Sequence, residues 1–212
     1  MYKKYKTMYK KGLCVIMAMV FCCMALQAET AETRLLSLNK KNTTLVAPFT
    51  EKKVLPKLKK ETKKEGQLYF ASPDALSMRY SDPDGDVTLI KDGGFSVRRN
   101  GKVQKFSMKS ENSQMRLLRD ILLYSFRGDI QGVATRCNAS IESSESATQY
   151  SFTITKKDKV KVGVCIIKLV YDKKTGAIVS LCLEELNGNY TIYETSHAAC
   201  NKTIPSDVWV IE

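Results

Sequence analysis

The chain has 212 residues, 43% of them hydrophobic and 26% charged, with 34 lysines and arginines against 22 aspartates and glutamates and a formal net charge of +12. That composition supports a domain with a substantial core. A nucleic-acid partner is excluded as a first reading, because it would need the positive charge gathered on one face with aromatics interleaved, and the N-terminus directs the chain out of the cytoplasm.

Residues 1–28 carry five lysines (Lys3, Lys4, Lys6, Lys10, Lys11), then the apolar run GLCVIMAMVFCCMAL, then LQA before an acidic start. This is the pattern of a signal peptide cleaved after Ala28. The apolar run from Gly12 to Leu26 has 15 residues, short of the roughly 20 that a membrane-spanning helix needs. Lipid attachment at Cys22 would want a small residue before it, where Phe21 stands. Removing residues 1–28 leaves a formal charge of +7 on residues 29–212, which read as one domain.

Ala31 to Leu38 predicts a short helix with Leu35, Leu36 and Leu38 as its contacts. Leu45 to Lys53 predicts a first strand. From Lys52 to Lys64 there are seven lysines against Glu61 alone, read as a solvated connection or a strand extension. The stretch GQLYFASPDALSMRYSDP (66–83) alternates: Leu68 and Phe70 on one parity, Leu76, Met78 and Tyr80 on another, with Gln67, Ser77 and Arg79 opposite and facing solvent. That is a half-buried antiparallel strand pair whose oily face needs a cover.

Strands continue through VTLIKDGG and FSVRRNGKVQKFSM, with Asn100-Gly101 as a two-residue hairpin turn. The period then changes. From Met115 to Phe126, eight of twelve positions are apolar, with Ser113 as a cap and Gly128 as a stop, which predicts a helix with a broad apolar sector. Strand patterning resumes at Tyr150, Phe152 and Ile154, runs through VKVGVCIIKLVYD and AIVSLCLEEL, turns at Asn187-Gly188 into NYTIYET, and closes with DVWVI. About eleven strands and one or two helices result. Such a long antiparallel sheet must curl, and the helical insertion lies over its concave side, with Leu117, Leu118, Ile121 and Leu122 toward the oily face.

Cys137, Cys165, Cys182 and Cys200 remain after export and allow three disulfide pairings. If the DKKTG turn closes Asp172 on Ala177, Cys165 and Cys182 share a face; if it closes Lys173 on Ala177, they do not. Free thiols are the alternative. Asp82, Asp84 and Asp86 have the spacing that opens a calcium loop, but Val87 replaces its glycine and Gly93 its final glutamate, so a plain turn is expected. His197 is the one histidine in the chain, and no Gly-x-Ser-x-Gly elbow occurs. No metal site and no catalytic residue is therefore expected.

The order of motifs resembles the bacterial outer-membrane lipoprotein carrier family, the LolA type and its divergent LolA-like branch. FTEKK (49–53) resembles the family's F-T-Q-K, GQLYFASPDALSMRY its G-x-L-x-F-x-x-P-x-x-L-x-W-x-Y, and IKDGG its I-x-D-G turn. IKLVYDKKTGAIVSLCLEELNGNYT and NKTIPSDVWVI match its later blocks, in order, to Ile211. The resemblance implies a mainly β (α+β) fold, an unclosed antiparallel half-barrel of about eleven strands with a helical lid over the concave face. It implies acyl-chain binding by Leu68, Phe70, Leu76, Met78, Tyr80, Leu117, Leu118, Ile121, Leu122, Phe152 and Ile154, without a cofactor or covalent chemistry. Met78, Met108 and Met115 would give the lining adaptability.

By the same resemblance the protein is a monomeric, non-enzymatic periplasmic carrier. Its cargo is acylated lipoproteins, taken from an inner-membrane ABC-type extraction complex and passed to an outer-membrane acceptor. Two departures stand out: Ser72 occupies the place of the family arginine that tethers the lid, and Met78 that of the tryptophan. Two other readings are a lipoprotein-sensing regulator on the same half-barrel, which would carry a second domain, and a non-lipid module that binds proteins along its open sheet edges.

Overall fold

The structure is a computed structural model that describes residues 29–82, 84–108, 114–158 and 163–212. The signal stretch 1–28 and the cap at Ser113 lie outside them. Backbone contacts divide the chain into Met1–Thr30 and Ala31–Glu212, and all the elements below belong to the second unit.

Helix α1 (Ala31–Asn39) forms where the leucine pattern places it and buries Leu35 completely. It leads into β1 (Thr44–Leu55), which pairs with β2 (Lys60–Ala71) without interruption from Thr44 opposite Ala71 to Leu55 opposite Lys60. The lysine-rich segment is thus the strand extension of the two alternatives, closed by a short 3-10 turn at Pro56–Leu58. Lys52 and Lys63 face each other across the ladder. Ion pairs from Lys52 to Glu61 at 2.9 Å and from Lys63 to Glu65 at 2.7 Å offset that repulsion.

Strands β3 (Ala75–Asp82), β4 (Asp84–Lys91), β5 (Gly94–Arg99) and β6 (Lys102–Phe106) continue as a meander on one side of β2. Asn100 and Gly101 both take positive φ, 50° and 73°, as the expected tight turn requires. Gly66, the first residue of the strand-pair motif, is there for space: a Cβ would stand 2.1 Å from the Arg79 carbonyl oxygen. Helix α2 (Gln114–Phe126) follows and is stopped at Gly128, whose φ is +66°.

A third helix, α3 (Ile130–Cys137), is absent from the sequence reading. Its apolar positions Ile130, Val133, Ala134 and Cys137 are buried, the Asp129 carboxylate accepts the Gly132 N–H at 2.8 Å, and Asn138 closes it in the left-handed region. The chain then builds β7 (Ala139–Glu145), β8 (Gln149–Lys156), β9 (Val164–Asp172), β10 (Ile178–Glu185) and β11 (Tyr190–Thr195). A two-residue β12 (Ala199–Cys200) pairs with β1.

All the strands form one antiparallel sheet in the order β6-β5-β4-β3-β2-β1-β11-β10-β9-β8-β7. The hairpin β1–β2 joins its two halves, and β6 and β7 are its two ends. Among the described residues this is an unclosed half-barrel of twelve strands, against the expected eleven or so, with three helices. None of the helices among the described residues is long and apolar enough to cross a membrane.

The loop after β9 closes Asp172 on Ala177, the Asp172 N–H donating to the Ala177 carbonyl at 2.9 Å. By itself that closure would put Cys165 and Cys182 on one face. A register shift between Ile178 and Ser180 adds one residue, however, and Cys182 stands opposite the exposed Lys168. Cys165 lies by a second irregularity, its thiol 3.4 Å from the Glu184 carbonyl oxygen. All four cysteines are free.

Arg79 does not face open solvent as expected. It lies on the outer face, but its guanidinium donates to the carbonyls of Asp207 (2.6 Å) and Val210 (2.7 Å), and Ser77 Oγ donates to that of Val208 (2.8 Å). The C-terminal 3-10 turn Ser206–Trp209 is thereby held on the back of β3.

Leu76, with no exposed surface, sits at the centre of the core, and Leu76→Ala is expected to cost about 2–5 kcal/mol, while Leu58→Ala at the exposed hairpin tip costs almost nothing. Urea denaturation at unchanged slope would check both. Unfolded without reductant, a chain of residues 29–212 should titrate four thiols with a disulfide reagent, and in the native state Cys137 should react slowest, because burial pushes its thiol up.

Candidate functional site

The inner face of the sheet is assembled from alternate residues of neighbouring strands. The ladder aligns Leu45, Phe70, Leu76 and Ile90 in one cross-strand row, with Phe95 beyond, and Leu68 opposite Met78 in the next. On the other half, Phe152, Leu169 and Leu181 form a row, with Ile154, Ile167 and Leu183 beside it. The parity read from the sequence is therefore the parity of the fold, and Leu68, Phe70, Leu76, Met78, Tyr80, Phe152 and Ile154 all belong to one buried apolar cluster.

Helix α2 covers this face. It reaches from β5 to β10, while α3 packs on β7 and β8. Ile121 and Leu122 are buried in the same cluster, and Leu117 and Leu118 pack against it half-buried. The sequence reading missed two further contributions from the helix, Leu123 and Phe126; the Phe126 ring lies 5.8 Å from that of Phe70. It also missed the β9 row Ile167, Leu169 and Tyr171, although its period of two was visible.

The covered face is packed. Leu68, Leu76, Ile90 and Leu169 have no exposed surface at all, so no water-sized void adjoins these side chains. Cavities of ≈ 300, ≈ 300 and ≈ 460 Å³ among the described residues open elsewhere on the surface, beside His197, Arg79 and Gln131 respectively. Toward the first turns of α2 the cluster loosens. Val97, Phe106, Met108, Met115, Leu117 and Leu118 pack against it only half-buried, a rim of apolar side chains continuous with the core. Of the three methionines expected to give an adaptable lining, two, Met108 and Met115, lie in this rim, and Met78 is fully enclosed.

Polar attachments tie the lid at several points among the described residues, Arg116 Nη1 donating to the Met108 carbonyl at 3.4 Å near its start. Arg119 Nη1 donates to the Gly93 carbonyl, in the β4–β5 turn, at 2.6 Å. The same guanidinium holds the Asp120 carboxylate at 2.6 Å, and Asp120 accepts from Arg136 Nε of α3 at 2.7 Å, which ties the two helices together. At the other end of α2, the buried Tyr171 hydroxyl donates to the Ser125 carbonyl at 2.8 Å. Burial pushes the Tyr171 phenol well above its ordinary range, so it remains a donor. Ser72 makes no such tether; its backbone N–H donates to the Thr43 carbonyl at 2.9 Å.

One end of the inner face is polar. Tyr80 donates its hydroxyl to the Glu51 carboxylate, and Arg99 lies 4.8 Å over the Tyr80 ring. Burial is the main cause that raises the Tyr80 phenol, and burial also raises that of Tyr193, which stands opposite Glu51. Asp86, nearly enclosed, is held by Lys64 at 3.2 Å and accepts the Asn100 N–H at 3.0 Å. Its carboxylate is thus committed to protein partners rather than to a calcium loop. No group of three or more His, Cys, Asp or Glu side chains among the described residues is placed to hold a metal ion. His197 is exposed beside one of the ≈ 300 Å³ cavities.

What the arrangement offers chemically is exclusion of water over a broad apolar face, with a cover attached chiefly by dispersion and desolvation.

The chain is similar to several solved structures at low identity. An uncharacterized conserved protein from Thermus thermophilus is 7% identical over 86% of this chain and 95% of its own, with a TM-score of 0.49. A DUF1329 family protein from Desulfovibrio piger is 13% identical over 84% and 95%, with a TM-score of 0.46. A LolA superfamily protein from Nitrosomonas europaea is 9% identical over 87% and 99%, with a TM-score of 0.42. No curated protein matches the sequence. Residues 40–212 match the family model described as "Outer membrane lipoprotein carrier protein LolA". The chain belongs to the LolA family of outer membrane lipoprotein carrier proteins.

Proposed function

We propose that the protein is a periplasmic lipoprotein carrier whose lid helix lifts to let acyl chains take its place against the inner face. The observation that supports this reading is the nature of the lid contact: α2 buries Ile121, Leu122, Leu123 and Phe126 on the sheet, beside polar ties that include Arg119, Tyr171 and Arg116. Such a contact can be replaced by another hydrocarbon of similar area. Family membership supports the reading, and on it the cargo is acylated lipoprotein and the destination the outer membrane. On this reading an inner-membrane ABC-type complex loads the carrier and an outer-membrane acceptor unloads it.

The energies are compatible with reversible loading. Exposing the four buried lid residues would cost roughly 6–12 kcal/mol, at about 1.5–3 kcal/mol each. An acyl chain of about sixteen carbons brings roughly 12 kcal/mol, at about 0.8 kcal/mol per methylene. Exchange of lid for cargo is thus close to balanced, which a carrier needs in order to release what it binds. Leu68, Phe70, Leu76, Met78, Tyr80, Phe152 and Ile154 would meet the chains from the sheet, and Leu117, Leu118, Ile121 and Leu122 from the lid. The half-buried rim at Met108, Met115 and Leu118 would be the entrance.

The enclosure of Leu68, Leu76, Ile90 and Leu169 favours one competitor, a module that binds protein partners at the sheet edges and never opens. A hydrophobic dye distinguishes the two: a carrier takes it up, and the closed module does not. Arg119→Ala removes a charged hydrogen bond worth about 1.5–3 kcal/mol, and should raise dye uptake at least about tenfold while the melting temperature falls by several degrees at roughly 2–4 °C per kcal/mol. Native mass spectrometry of protein recovered gently from the cell envelope should show a lipidated polypeptide leaving with it. Phe70→Asp or Leu118→Asp should abolish that adduct, Leu118→Asp at the half-buried rim with least effect on folding. A consistently empty mass, together with no release of labelled lipoprotein from spheroplasts, would overturn the carrier.

A further inference from the structure

The tip of the β1–β2 hairpin is not used by the site described above. The strands of this hairpin are the longest in the sheet, at twelve residues each, and outrun their neighbours. Strand β11 follows β1 only as far as Val54, and β3 leaves β2 at Glu65. The segment from Leu55 to Lys60 therefore projects beyond the sheet, closed by the Pro56–Leu58 turn with Lys59 in the left-handed region.

Its chemistry is uneven. Lys52, Lys63 and Lys64 are held by Glu61, Glu65 and Asp86. Lys53, Lys57, Lys59 and Lys60, all exposed, have no ion pair among the described residues. The register puts Lys53 and Lys60 on one side of the ribbon, and Lys57, within the turn, and Lys59, at its close, stand on either side of Leu58 in the chain. At the centre of these cations stands Leu58, 72% exposed and the most exposed large hydrophobic side chain among the described residues. Solubility alone would explain the lysines but not a leucine at the apex. An acidic protein surface would use the lysines and leave Leu58 in water. A bilayer uses both: phosphates pair with the ammonium groups while the leucine enters the interfacial region.

We propose that the β1–β2 hairpin tip is a membrane-surface contact that docks the protein on anionic phospholipid, Lys53, Lys57, Lys59 and Lys60 on the phosphates and Leu58 inserted between headgroups. The contact is shallow and reversible, as a four-lysine patch with one apolar anchor must be, and it needs no cargo in the interior.

Sedimentation with vesicles tests it, using the chain of residues 29–212. The protein should partition onto vesicles of phosphatidylcholine with about a third phosphatidylglycerol at low salt, but not onto pure phosphatidylcholine, and should be released by 0.5 M salt, roughly, as screening shortens. Each lysine near an anionic surface is worth about a fivefold change in partition, so K57Q/K59Q/K60Q should lose roughly a hundredfold. The charge-matched K40Q/K41Q/K202Q, with three exposed lysines removed elsewhere, should lose much less. Leu58→Ser should weaken binding severalfold at unchanged charge. Equal partition onto neutral and anionic vesicles, equal losses in the two triple variants, or no binding at all would overturn the proposal; the last is the outcome expected if the tip serves an acidic protein. Because these vesicles hold no lipoprotein, the result is independent of whether the interior accepts acyl chains.

Discussion

A twisted sheet with one apolar face has to keep that face dry, and in this chain three helices share the covering, α2 across the sheet from β5 to β10 and α3 over β7 and β8. Everything else in the architecture follows from how weakly or strongly that cover is attached. The sheet is held by backbone ladders that link every neighbouring strand from β6 to β7, directional bonds that hydrocarbon cannot replace. The lid is held by side-chain burial, which is non-directional and can be supplied by any apolar group of similar size. On the proposed function, the contrast separates a permanent frame from an exchangeable cover.

Polar groups mark the limits of the exchangeable region. At the lid's first half, Arg119, Asp120 and Arg136 form a connected set that ends on the Gly93 carbonyl. At its second half, Tyr171 anchors Ser125 from beneath. Across the sheet, Tyr80, Glu51, Arg99, Lys64 and Asp86 satisfy one another where the apolar rows end. Hydrocarbon entering from the rim would therefore meet apolar walls until it reached this floor, where displacing paired charges would cost more than further burial returns.

Much of this was readable in advance, and the exceptions have physical reasons. The alternation of Leu68, Phe70, Leu76, Met78 and Tyr80 gave the inner face because a residue's side is fixed by parity alone, and the observed register, Phe70 opposite Leu76, preserves it. The change of period at Met115 likewise marked the lid. Helix α3 was overlooked although Asp129 and the spacing of Ile130, Val133, Ala134 and Cys137 carry its signal. The bulge at Val179 has no such signal, yet one extra residue there reverses the side of Cys182 and decides the cysteine question. Arg79 and Arg119 were misjudged or missed because both donate to main-chain carbonyls, partners that every residue possesses and that no side-chain pattern announces.

The two ends of the sheet, β6 and β7, share no ladder. In a closed barrel the bore is fixed jointly by strand number and stagger, and changing it means breaking a full seam of hydrogen bonds. Here the curvature can relax with every backbone bond intact, so the space enclosed is a continuous variable rather than one of a few discrete sizes. A frame of this kind can be widened by its occupant, without a dedicated pore having to exist beforehand.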